Sequence, residues 1–577
     1  MKDRQWFLFS LGIIVSLLAL IGIFTVMEGQ NMIQPRTIGL IFFFGTVALY
    51  AVVGLLVSAR KVADYYVAGR DIPAFYNGMA GGANWMSAAS VIGMAGTIYL
   101  LGYDGLAYIM GWTGGYVLLA LLIAPYIRKM RAYTVPDFMA ARYGGNVARG
   151  LSVFAALAMN VVYLIPQFMG IGMIASRFLG LPFEWGVFVA LAVILLCTFS
   201  GGMRGVTWVS VAQYLVIIVA YLVPLVLLST RLTGNPIPWL AYGRALQSID
   251  SFEVANGMTR YVQPFTNMSM ANTLGLIFCL MVGTVGLPHV LTRFYTVKSV
   301  RESRISVGWC LLFIILVYVS APAKAALVRN EIYTNLVGTQ IAEMPEWVDR
   351  WGEQGLVAVE DQNGDGVLQF PELKLHADMI VVGTPEIANM PYTVSSLIGA
   401  GGMAAAVSTS LGLLMVLAAG VAHDIYKKML NPNASEGTVL FWSRAVLVVV
   451  AALCALAALT KPALIVVMVA WAFSIAAASF FPAVFLGIWW RRANTTGAVA
   501  GMAVGLVVTI SYIILSHFYG IKIFGIVPVN AGLFGVPANF IVTYVVSMMT
   551  EEPPEDIQDL VTELRYPRAT REIGEGN

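Results

Sequence analysis

The chain has 577 residues, of which 59% are hydrophobic and only 11% charged, with a mean hydropathy of +0.79. That balance excludes an ordinary soluble globular protein. The net charge of +3 says little, because the placement of charges matters more than their sum; the expected partner is the lipid bilayer and not nucleic acid.

The apolar residues gather into about fourteen segments long enough to span hydrocarbon, which predicts an all-α membrane protein. Residues 1–36 hold an extra N-terminal segment, 6–27. Its run is long for a signal peptide and Thr25-Val26-Met27-Glu28 offers no small-residue cleavage pattern, so a retained helix is expected. Residues 37–74 add segment 37–59 and a cytoplasmic loop. Residues 75–232 carry segments 75–101, 106–127, 147–176, 183–201 and 207–230, followed by an irregular extracytoplasmic loop, 233–268. Residues 269–490 carry segments 269–291, 305–328, 393–422, 438–460 and 463–490, interrupted by a hydrophilic insert at 330–390 with helix-like stretches. Segments 496–517 and 526–549 fill residues 491–550. In the tail, 551–577, Ile557, Leu560, Val561 and Leu564 have the spacing of a short amphipathic helix.

Alternate short connections are basic: Arg60, Lys61 and Arg70; Arg128, Lys129, Arg131, Arg142 and Arg149; Arg293, Lys298, Arg301 and Arg304; Lys427 and Lys428; Arg491 and Arg492. Positive-inside bias then places both termini in the cytoplasm, as expected for a multi-pass inner-membrane protein. Cys197, Cys279, Cys310 and Cys454 all fall inside segments and predict packing thiols, not disulfides. No nucleotide loop and no metal-ligand cluster occurs in the spans, so an enzyme is not expected.

Two spans are interrupted at mid-depth. Gly81–Gly105 reads GGANWMSAASVIGMAGTIYLLGYDG, and Gly283-Thr284-Val285-Gly286-Leu287-Pro288-His289 breaks another apolar run. Broken backbone survives in a bilayer only where it lines a buried cavity. The two breaks lie five segments apart, an odd offset that reverses direction, so a core of five plus five inverted spans is predicted.

In Ala405-Ala406-Val407-Ser408-Thr409, spacing puts the Ala405 carbonyl and the Ser408 and Thr409 hydroxyls on one helix face. Carbonyls of Ala83 and Met86, released where the first broken span opens, would complete a five-oxygen shell for Na+. Ser87 and Ser90 offer hydroxyls beside that opening, Gln167 sits mid-span behind Pro166, and Thr284 and His289 flank the second break. Donors and free amides there favour a small organic anion as substrate; Ser87, Ser90, Gln167 and Thr284 are the candidate ligands.

Ala63-Asp64-Tyr65-Tyr66-Val67-Ala68-Gly69, Met86-Ser87-Ala88-Ala89-Ser90, Gly102-Tyr103-Asp104-Gly105, GTVGLPHVLTRFYTV at 283–297 and His423-Asp424-Ile425-Tyr426 together resemble the sodium:solute symporters. The resemblance runs from about residue 37 to about residue 550 and looks closest to the acetate and short-monocarboxylate permease branch. It implies the inverted-repeat fold, sodium-coupled import of acetate or a related monocarboxylate, and Ala83, Met86, Ala405, Ser408 and Thr409 as the main sodium site. Ser210 stands where some members carry an aspartate for a second sodium, which implies one sodium per cycle. The Ser408–Thr409 pair is typical of the family's proline, sugar and sialic acid symporters, which pulls the substrate expectation the other way. An amino acid substrate, proton coupling and a transporter-like sensor are the alternative readings, and a small two-helix membrane subunit is a candidate partner.

In the insert, Asp361-Gln362-Asn363-Gly364-Asp365-Gly366 runs on to Glu372 and fits the EF-hand-like calcium-loop pattern at every fixed position. Asp361, Asn363, Asp365, the Val367 carbonyl and Glu372 would bind Ca2+, weakly and as a stiffener of the insert. Trp347–Val359 is expected as the entering helix and Pro371 onward as the leaving one.

Overall fold

A computed structural model describes residues 3–57, 62–130, 132–198 and 202–566; Arg60, Lys61, Arg131 and the last part of the tail lie outside the described residues. Among the described residues, eleven helices are long and apolar enough to cross a membrane, or twelve when a pair bent by 49° counts as one span. The count differs from the expected fourteen for two reasons. The Phe183–Thr198 helix has only 16 residues, and the stretch Ala89–Leu122 passes the span test as one unit although it turns back on itself.

That reversal is set by contacts at both ends. The Ile72 amide donates to Thr296 O at 3.3 Å, and the Arg128 guanidinium donates to Val297 O and Lys298 O at 3.0 and 2.9 Å. Residues 72 and 128 therefore share one face of the protein, and the chain between them goes out and returns. The turn is at Gly102, whose φ of +60° combined with ψ of −133° favours glycine, and a Cβ there would lie 2.3 Å from Tyr261 O.

The two interrupted spans break differently. The helix Ala74–Trp85 stops at Met86, with φ −71° and ψ 75°, and resumes through a wide π-helical turn, Ala89–Gly93, into Met94–Leu101. In the other, Met270–Gly286 ends at an extended Leu287, because the residue before a proline is pushed out of the helical region, and Pro288–Leu291 starts anew. The helix Tyr392–Ala419 is buried along nearly its whole length and packs against Ala74–Trp85, Gly145–Leu179 and Gly202–Thr233. It continues through Gly420–Leu430, again with π-helical pitch.

The hydrophilic parts are more regular than expected. Pro238–Ala255, anticipated as irregular, is a helix that begins on a proline, whose missing N–H is no loss in a first turn. Around the calcium-type loop, the entering helix is only Glu346–Gly352, and a strand, Val357–Val359, replaces its second half. It pairs antiparallel with Leu373–Leu375, so no leaving helix forms: Phe370–Glu372 makes one turn and the β-branched and leucine residues pair instead. In the tail, Glu555–Arg565 is helical, buries Val561 and Leu564, and is held by Lys129 Nζ donating to Leu564 O at 2.6 Å. All four cysteines are buried and free.

Candidate functional site

The first break frees backbone groups in a traceable way. In an unbroken helix the Ser87 and Ala88 amides would serve Ala83 O and Asn84 O. Here Ser87 N turns to Trp85 O at 2.8 Å, and Ala88 N is taken by Gln167 Oε1 at 2.9 Å. Asn84 O accepts the Thr409 hydroxyl at 2.7 Å instead, and Ala83 O keeps no helical donor from Ser87. Two distant lengths of chain thus meet at the break. Asn84 Nδ2 lies 2.5 Å from Ser408 O, 3.0 Å from Ser408 Oγ and 3.2 Å from Ser210 Oγ. Ala83, Met86, Ala405, Ser408 and Thr409 are all fully buried at this junction.

Arg293, expected in a basic connection, is instead buried beside this cluster. Its guanidinium donates to Asn84 Oδ1 and, at 2.8 Å, to Thr207 Oγ1. The apolar run that follows Pro288 folds back into the bundle and carries the arginine with it. Pattern alone marks neither Asn84 nor Arg293 as a site residue, although both lie inside the interrupted motifs.

The expected substrate ligands separate into two groups. Ser87 and Ser90 are buried at the break; Ser87 Oγ makes no hydrogen bond of normal geometry, and Ser90 Oγ lies 3.1 Å from the Tyr318 hydroxyl, which also accepts Trp85 Nε1 at 2.7 Å. Gln167 and Thr284 are engaged structurally. Gln167 bridges Ala88 N and, through Nε2 at 3.1 Å, its own helix at Tyr163 O; the Thr284 hydroxyl donates to Leu280 O one turn back at 2.7 Å. Trp85, Tyr163 and Phe473 pack edge-on or tilted around the same point, with ring centroids 5.6 to 5.8 Å apart. Gly283 lets the second broken helix approach: a Cβ there would sit 2.4 Å from Phe473 O. His289 faces Tyr163 at 5.4 Å with both ring nitrogens unpartnered.

Two further clusters flank this centre. Toward one face, Asp424 accepts from Arg149 at 2.9 Å and Thr134 at 3.0 Å, and Arg149 also binds Asp137 at 2.6 Å. Asp137, His423 and Asp424 have metal-ligand types within reach of one another, but the guanidinium already supplies the counter-charge. Toward the insert, a cavity of about 800 Å³ is lined by Met173, Arg177, His376, Asp378 and Lys461. Asp378 is 3% exposed; one carboxylate oxygen faces the Ile465 amide at 3.4 Å and the other has no partner. Burial pushes its carboxyl up to about 7, against the opposing pull of that amide.

The calcium-type loop closes on itself. Asp361 accepts from the Gly364 and Gly366 amides at 2.8 and 3.0 Å, Asp365 from Val367 N at 2.8 Å, and Glu372 from the Gln362 and Gln369 amides, both at 2.9 Å. Asn363 Nδ2 donates to Asp365 at 2.8 Å, so the candidate ligands share one small loop.

Interrupted helices around a buried polar junction define a multi-pass membrane transporter. The chain belongs to the sodium:solute symporter family, whose model matches residues 65–342 and 377–505; the calcium-type loop lies between the two matched parts. It is similar to an uncharacterised symporter of Cupriavidus necator, 39% identical over 97% of each chain, and to the monocarboxylic acid transporter of Corynebacterium glutamicum, 27% identical over 92% of this chain and 94% of the relative. Its fold is similar to that of a solved Na+-coupled sialic acid symporter, at 16% identity and a TM-score of 0.68, over 89% of this chain and 98% of the other.

Proposed function

We propose that the protein is a sodium-coupled symporter that imports a small organic anion, with acetate or a related monocarboxylate as the favoured substrate. The observation that carries the reading is the meeting of Asn84 with Ser408 and Thr409 at a break that releases the Ala83 carbonyl. In this reading Ala83, Met86, Ala405, Ser408 and Thr409 bind one Na+. The ion bridges the two helices through these oxygens while substrate occupies the adjoining break at Ser87 and Ser90. Five spans from residue 75 and five inverted spans from residue 269 form the core, rocking against each other to alternate access. Both termini face the cytoplasm of the inner membrane. The likeness to a monocarboxylic acid transporter supports the substrate class.

The test is uptake of labelled acetate, propionate, pyruvate and proline into proteoliposomes with and without an inward sodium gradient. Sodium-driven accumulation of a monocarboxylate is the expected result; accumulation driven equally by a proton gradient without sodium rejects the coupling.

For the insert, the closed Asp361–Glu372 loop supports weak Ca2+ binding through Asp361, Asn363, Asp365, the Val367 carbonyl and Glu372, carried on a strand pair and not between two helices. Its role is to stiffen the insert.

A further inference from the structure

The span Val300–Asn335 carries a lysine that makes no ion pair among the described residues. Lys324 is 0% exposed, and its Nζ has no hydrogen-bond partner among the described residues. Its Nζ lies over the face of Tyr221, 3.9 Å from the ring centroid, and the Tyr221 hydroxyl is itself buried without a hydrogen-bond partner among the described residues. Two buried acids of the same region are held by other cations: Glu331 pairs through Oε1 with Arg231 at 2.6 Å, its Oε2 making no hydrogen bond, and Glu253 pairs with Arg329 at 2.8 Å.

An ionisable side chain at membrane depth is costly to keep and is ordinarily paired with another charge or with a cargo. A ring face attracts an ammonium but leaves its three N–H donors without acceptors. Lys324 lies six residues beyond Tyr318, or about 9 Å of helix rise toward the insert side. Tyr318 is the residue whose hydroxyl joins Trp85 and Ser90 at the first break. The helix Ser320–Asn335 that carries Lys324 packs against Met94–Leu101, the second half of the first broken span, and against Gly202–Thr233, which carries Tyr221.

Resting on the reading above, we propose that Lys324 and the Tyr221 hydroxyl recognise the carboxylate of the transported anion, the ammonium and the phenol each donating to one of its oxygens. The aliphatic remainder of a short monocarboxylate then faces the aromatic side chains of Tyr318 and Trp85. This assigns the substrate's charge to the protein and not to the bound sodium alone.

The experiment compares wild type, Lys324→Met, Lys324→Arg and Tyr221→Phe in proteoliposomes at saturating sodium. Lys324→Met is expected to raise the acetate or pyruvate concentration for half-maximal uptake at least tenfold, Tyr221→Phe at least threefold, and Lys324→Arg to recover most of the loss. Sodium-induced thermal stabilisation without substrate should change less than twofold in its half-maximal sodium concentration, which separates this site from the ion site. If wild type shows no sodium-driven uptake, the parent reading fails; if it does and all three variants keep the wild-type substrate concentration within twofold, the lysine assignment alone is overturned. Should Lys324→Met not fold, Tyr221→Phe and Lys324→Gln decide the matter, the latter expected to raise the substrate concentration at least tenfold, together with competition in wild type, where acetate must compete at least tenfold better than acetamide. Replacing chloride with sulfate must leave wild-type uptake unchanged; a chloride requirement that Lys324→Met abolishes would assign the lysine to chloride and overturn the proposal.

Discussion

Thr409 donates its hydroxyl to the backbone carbonyl of Asn84 at 2.7 Å, a bond that crosses 325 residues of chain. The carbonyl is available only because the helix opens two residues later, at Met86, and because Gln167 takes the amide that would have served it. A hydroxyl on one helix and a freed carbonyl on another are oxygens of the kind a monovalent cation needs.

Thr409→Ala removes one proposed sodium ligand and one interhelical hydrogen bond, while leaving a residue that suits a helix. A lost ligand worth about 1.4 kcal/mol corresponds to a tenfold weaker site. The sodium concentration for half-maximal uptake in proteoliposomes should rise about tenfold with the melting temperature little changed. Unaltered sodium dependence would count against the oxygen shell.

Gln167→Leu keeps the side-chain volume near the original but leaves the buried Ala88 amide without an acceptor. An unsatisfied buried donor costs about 1–3 kcal/mol, so thermal unfolding in detergent should shift to lower temperature by that equivalent. Gln167→Glu, which keeps the acceptor, should retain more stability than Gln167→Leu. Equal melting for wild type and Gln167→Leu would show that the break is held by other contacts.

Asp378 gives the insert side a pH dependence with a defined sign. Its carboxyl is raised by burial from 3.8 to about 7, so the folded state holds a proton that the unfolded chain releases. Its contribution to stability is fully present below about 4 and is lost as pH rises through about 7, by on the order of 2–4 kcal/mol. Asp378→Asn, which cannot ionise, should flatten stability between pH 4 and pH 7 relative to wild type, as read by thermal unfolding across that interval. An unchanged slope in the variant would place the dependence elsewhere.

The insert loop offers a transport-independent test. Terbium luminescence or calorimetry on the full chain should detect one weak site, in the regime of about 10⁻⁴–10⁻³ M typical of extracellular modules. Glu372→Gln should weaken it at least tenfold, because Glu372 alone supplies two oxygens in the loop pattern. Absence of any site in wild type at millimolar Ca2+ would leave the loop a self-bonded turn.

Much of the architecture was legible in the residues alone. Span length and apolar content are local properties that the bilayer reads directly, so the membrane class, the interrupted spans and the small oxygen-bearing residues beside them followed without coordinates. The strand pair around Val357–Val359 did not, because short apolar runs suit helix and strand equally until a partner strand is present. Only the tertiary structure decided that Gln167 accepts from the Ala88 amide at the break, that Arg293 is buried against Asn84, and that Lys324 meets the Tyr221 ring with no acid paired to it among the described residues. Each of these depends on which helix face meets which across tens or hundreds of residues, and pairing at that range is fixed by packing of the whole bundle, which no local pattern encodes.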